Sequence, residues 1–179
     1  MTDTAPTREA LLAALTEQRG RLERWIAART PEEMERPVTP SEIPGGAMWR
    51  VKDHLAHALG VERYLQGAVK RTLAGADDPA GFYTEAGSLT HEAVARVANA
   101  SNERALAKYR DEPVAALLVR LGETRQATLA LLASLSDEQL DQESPHSPFP
   151  PGTVRGLFKQ MARHDGQHVD WLTEALARS

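Results

Sequence analysis

Leu11, Leu12, Leu15, Leu22, Trp25 and Ile26 recur at intervals of three, four and seven. That spacing lines one side of an α-helix, and it predicts a helix over residues 6–29 with Pro6 in its first turn. A second stripe of Val51, Leu55, Ala58, Val61, Leu65, Val69 and Leu73 predicts a helix over residues 49–74. Asp111 is a suitable N-cap ahead of Pro113, and the leucines at 117, 118, 121, 129, 131 and 132 carry a third helix to about residue 135. The last stripe, Val154, Leu157, Phe158, Met161, Leu172, Ala175 and Leu176, covers residues 153–177. Residues 90–109 are helical by propensity but weakly apolar, and are expected as a peripheral helix or crossing segment. Pro37, Pro40, Pro44, Gly45 and Gly46 make residues 31–48 a loop, and "SDEQLDQESPHSPFPPG" a connector. No segment alternates in the manner of a strand. The expected fold is all-α: a four-helix bundle with a long crossover connection, one domain over residues 1–179.

Composition narrows the chemistry. The chain has 179 residues, 41% of them hydrophobic, and no cysteine. Thiolate metal sites and cysteine nucleophiles are thereby excluded, leaving nitrogen and oxygen donors. Net charge is -4, with 21 basic residues scattered among 25 acids. A phosphate-binding surface needs clustered cations, so no nucleic-acid partner is expected. The opening "MTDTAPTREALLAALTEQ" lacks a basic stretch leading into an apolar one, and no apolar run has the length of a membrane span. A cytoplasmic protein with no membrane partner is expected.

One helix breaks its own pattern. In "GLFKQMARHDGQHVDWLTEALA" His168 lies near the centre of the apolar stripe, with His164 one turn earlier at its edge. A buried imidazole without a partner costs about 1–3 kcal/mol, and residues four apart can direct two nitrogens at one point. The plain alternative is a pair of packed, hydrogen-bonded core histidines. A third donor is available in "WRVKDHLAHALGVERYL", where His54 and His57 lie one turn apart. By helical phase His54 is nearer the centre of its stripe, and either could reach the pair on the last helix.

The Trp-led start of "VKDHLAHALGVE" and the closing "RHDGQHVDWL" together resemble the DinB-like (YfiT-like) metal-binding bundles, near the maleylpyruvate isomerase N-terminal and ClbS/DfsB-type groups. "NERALAKYRDEPVAALLVRL" through "ALLASLSDEQLD" looks like the third helical region of the same families, so the likeness covers most of the chain. The resemblance implies a DinB/YfiT-like bundle whose metal ligands are His57, of the "LAH" element, with His164 and His168. The position of His54 is commonly apolar in that pattern.

Three imidazoles leave coordination positions free, as catalytic sites do. Zinc or nickel is the first expectation, with iron, cobalt and manganese also accepting such donors. Asp53, Glu62, Asp165 and Asp170 lie within a turn or two of the histidines and could orient the rings or act as a base; solvated helix surface is their plainer reading. "HDGQH" has Asp where a zinc protease needs the Glu of HExxH, and Glu143 to His146 falls in a proline-rich stretch that cannot form a di-iron helix. His91 and His146 look exposed, with His146 able to line a pocket mouth. The resemblance further implies a metal-dependent enzyme acting on a small electrophilic substrate, as a hydrolase or as a transferase or isomerase using a low-molecular-weight thiol such as mycothiol, bacillithiol or glutathione. The alternatives are a binding module without turnover and a purely structural bundle. Trp25, Trp49, Trp171 and the leucine-rich third helix allow a homodimer.

Overall fold

The computed structural model describes residues 6–41, 43–83, 87 and 89–178. Its long helices are α1 (Arg8–Ala27), α3 (Val51–Leu73), α4 (His91–Tyr109), α5 (Val114–Ser134) and α7 (Val154–Arg178); α2 (Pro31–Glu35) and α6 (Asp137–Asp141) are single turns. A short antiparallel ribbon pairs β1 (Pro37–Thr39) with β2 (Trp49–Arg50). The all-α bundle is the fold expected from periodicity.

Each bundle helix buries the face its pattern marks. In α1, Leu11, Leu15, Leu22 and Ile26 are buried, and Thr7 caps the helix by accepting from the Ala10 amide at 3.2 Å. α1 packs against α7 and α5, while α3 packs against α5, α7 and α4. The sequential pairs α1/α3 and α5/α7 therefore stand diagonally, and the two long connectors cross the bundle.

The segment expected as a loop over 31–48 is more ordered than its prolines imply. Thr30 and Glu33 form a reciprocal capping box at the start of α2. Met34 enters the core and Val38 packs against it, which anchors the ribbon leading into α3. α3 accordingly begins at Val51, not Trp49, with Asp53 accepting from the Arg50 amide at 2.8 Å. α5 starts at Val114 behind Pro113, three residues beyond the expected Asp111 cap. Residues 91–109 form a complete helix on the flank of α3. Its buried residues are few, Val97, Leu106 and Tyr109, but Gly60 permits close approach: a Cβ there would stand 2.6 Å from Ala105 Cβ.

The bundle core falls into two large apolar clusters, with a small third one of Ala80, Phe82 and Val97 beside them. One gathers Leu22, Trp49, Leu55, Leu59, Leu121, Val169 and their neighbours; the other gathers Leu15, Leu65, Leu132, Leu157, Phe158 and Met161. At the boundary every bundle helix carries one charge, Arg19, Glu62, Arg125 and Asp165, all buried. Arg19 donates to Asp165 Oδ2 at 2.8 Å and to Glu62 Oε2 at 2.6 Å. Arg125 donates to Glu62 Oε1 at 2.8 Å and to Asp165 Oδ2 at 2.9 Å. Two cations thus meet two anions in a layer that ties all four helices together. Of the three tryptophans, Trp49 is buried, Trp25 is half-buried and Trp171 is 50% exposed.

Candidate metal centre and its cavity

His57 projects from α3, and His164 and His168 from successive turns of α7. His57 Nε2 lies 3.0 Å from His164 Nε2, and His168 Nε2 lies 3.2 Å from the same atom. One ring nitrogen from each residue falls within 4.8 Å of the others. Two nitrogens each about 2.0–2.1 Å from a cation stand about 2.8–3.4 Å apart between octahedral and tetrahedral angles, and both distances to His164 fall in that range. These three histidines could hold a metal ion.

The surroundings favour neutral imidazoles. Burial pushes the pKa of His54 and His164 down from 6.5 to about 4, and burial likewise holds His57 and His168 well below that ordinary value. For His164 the nearby Arg125 and Arg19 add to the depression while Asp165 opposes it. A neutral ring is the form that offers a lone pair.

A pH prediction follows from these directions. In the unfolded chain each histidine takes a proton near pH 6.5, whereas His54 and His164 in the folded, metal-free protein resist until about pH 4. Stability is therefore full above 6.5 and lost progressively as pH falls towards 4, by about 1.4 kcal/mol per pH unit for each group still neutral in the fold. Urea unfolding of the metal-free protein at neutral pH and at about pH 5 measures this. An unchanged midpoint would contradict the burial described here.

The histidines border a cavity. Its volume is about 260 Å³, and it has His57 and His164 in its wall, together with Tyr64 of α3, Phe82, Phe149 and Trp171 of α7. Phe82 packs edge-on to both Tyr64 and Phe149, at 5.9 and 6.1 Å between centroids. His168 lies behind, its ring 5.2 Å from that of Trp171. The cavity gives an apolar molecule access to two of the three rings.

Other expected residues lie elsewhere. His54 sits beside the cluster, with Nδ1 3.0 Å from His168 Nδ1. Asp53 is buried in the start of α3, bonded to Arg50 and Arg110. Glu62 and Asp165 belong to the charge layer, so the solvated-surface reading fails for all three. Asp170 is exposed and pairs with Arg21. Among the described residues, none of the four carboxylates is hydrogen-bonded to a histidine ring. His91 and His146 are exposed, and His146 stacks on Tyr83 rather than lining the cavity. Arg19 and Arg125 were not anticipated, although each stands at a core position of its helix, a signal that phase arithmetic contains.

A sequence profile of the DinB superfamily matches residues 41–172. This chain belongs to the DinB superfamily. Two solved structures share the DinB fold seen here. One is the crystal structure of the colibactin self-resistance protein ClbS in complex with a double-stranded DNA, with a TM-score of 0.71, 19% identity and 98% coverage of both chains. The other is an uncharacterised protein from Escherichia coli UTI89, with a TM-score of 0.68, 15% identity and coverage of 96% of this chain and 94% of that one. Among curated proteins none matches.

The ClbS complex corrects one expectation. Scattered charge predicts no nucleic-acid partner, yet a protein with this fold has been solved with duplex DNA. Net charge sums over the whole surface, whereas phosphate contact needs only a few cations on one face, so the exclusion does not hold. Among the described residues, no helix is long and apolar enough to cross a membrane.

Proposed function

We propose that this DinB-superfamily protein binds a divalent cation, zinc or nickel first, through His57, His164 and His168, and acts as an enzyme on a small electrophilic molecule admitted by the cavity. The observation that carries this reading is the crowding at His164 Nε2, which has two ring nitrogens at 3.0 and 3.2 Å. A neutral imidazole nitrogen offers one in-plane lone pair or one N–H. It cannot satisfy two such neighbours well, whereas a shared cation satisfies three lone pairs at once. When bound, a divalent cation would supply a nucleophile by lowering the pKa of a thiol or water beside it. The aromatic walls would hold the substrate and exclude bulk water, and His57 and His164 would direct the reacting end towards the free side of the site. Self-resistance, the role of ClbS, is one that inactivation of the resisted agent would serve.

The test incubates metal-loaded protein with glutathione, mycothiol or bacillithiol and monochlorobimane. The expected result is metal-dependent conjugation, reduced in His57→Ala to the uncatalysed rate. Metal uptake with no turnover of this or hydrolysable electrophiles would favour a binding module instead. A duplex partner is a second reading, favoured by exposed Arg96, Arg104 and Lys108, eight and four residues apart on α4, with Arg104 also lining the cavity. Its signature is DNA binding that weakens steeply with salt and with Arg104→Glu.

A further inference from the structure

His168 presents opposite edges of its ring to two neighbours. Nε2 faces His164, while Nδ1 lies 3.0 Å from His54 Nδ1. His54 continues the line, its Nε2 standing 2.9 Å from Thr39 Oγ1 in β1. Trp49 packs its ring edge-on to His54 at 5.3 Å between centroids, and His54 is only 4% exposed, so its ring is held in place.

A neutral imidazole carries one N–H, so two proton arrangements satisfy this chain. In one, His168 keeps its proton on Nε2, its Nδ1 accepts from His54, and His54 accepts from the Thr39 hydroxyl. In the other, His168 Nδ1–H donates to His54 Nδ1, and His54 Nε2–H donates to Thr39 Oγ1. Only the second leaves a lone pair on His168 Nε2. We propose that His54, anchored by Thr39, is a positioning residue that holds His168 in the Nδ1–H tautomer and so readies Nε2 to bind a cation. The β-ribbon thereby gains a role, since it places the Thr39 hydroxyl where the line ends. This inference rests on the metal reading above, but the tautomer can be read without metal.

Long-range ¹⁵N–¹H correlation NMR on the metal-free protein reports the tautomer of His168, and zinc titration against a chromophoric chelator reports affinity. The wild type is expected to show His168 as Nδ1–H. His54→Phe fills the space but offers no acceptor; it should move His168 towards Nε2–H and weaken zinc binding roughly 10- to 100-fold. His54→Gln, whose amide oxygen can accept, should recover most of that loss, and Thr39→Val should show a smaller shift in the same direction. An Nε2–H tautomer in the wild type would overturn the proposal, as would zinc affinity in a folded His54→Phe variant within about twofold of wild type. Should that variant not fold, unchanged tautomer and affinity in Thr39→Val would overturn it equally. A wild type that takes up no zinc would end the metal reading, while the tautomer would still decide for or against His54.

Discussion

Replacing His168 with leucine is expected to abolish useful metal affinity while leaving the metal-free fold intact. Structural zinc sites with four ligands bind with about 10–16 kcal/mol, so one ligand carries about 3 kcal/mol or more, a loss beyond roughly 100-fold. The folding balance is close to even. His168 is 2% exposed on the buried face of α7, beside Val169 and Leu172. Leucine there gains burial worth about 2 kcal/mol, against about 1–3 kcal/mol for leaving the buried His54 nitrogen without its partner, so the metal-free fold changes by no more than about 1 kcal/mol. Calorimetry with zinc and a thermal melt without it check the two halves. Undiminished zinc affinity would remove His168 from the site.

The largest stability effect is expected at the charge layer. Glu62 accepts from Arg19 at 2.6 Å, from Arg125 at 2.8 and 3.2 Å, and from Thr128 at 2.5 Å. Glu62→Ala leaves two buried guanidinium groups facing Asp165 alone. Breaking a buried pair on one side costs about 3–5 kcal/mol, which for a chain of this length lowers Tm by roughly 6–20 °C. Removing the partner charge as well, in Glu62→Leu with Arg125→Met, restores balance because Arg19 and Asp165 remain matched. The double variant should therefore be more stable than Glu62→Ala. A loss below about 1 kcal/mol in Glu62→Ala would mean that the layer is not held as described.

What the sequence revealed and what it concealed follow from range. The stripes of α1, α3, α5 and α7 are local and repeat over several turns, so the bundle was legible. α2 and the β-ribbon were not, because a single capped turn and a three-residue pairing depend on contacts with Met34, Val38 and Trp49 that no local period encodes. α4 was underrated for a related reason: its hold on α3 uses Gly60 against Ala105, a close approach that adds little apolar signal. At the site, His164 and His168 declare themselves by their spacing of four. Phase points to His54 and only the family resemblance to His57; in the structure both are 4% exposed, and His57 is the one whose Nε2 meets His164 while His54 meets the far edge of His168. The four charges of the central layer each occupy a core position, but their pairing is a property of four helices brought together.

The central claim is that imidazoles from α3 and α7 share one cation with a coordination position left open to the cavity. Crystals grown with zinc, measured on both sides of the zinc absorption edge, address it directly. The expected anomalous map has one strong peak about 2.0–2.1 Å from Nε2 of His57, His164 and His168, with its free side towards Phe82 and Phe149. A map with no peak there, or with zinc held only by other residues, would contradict the account.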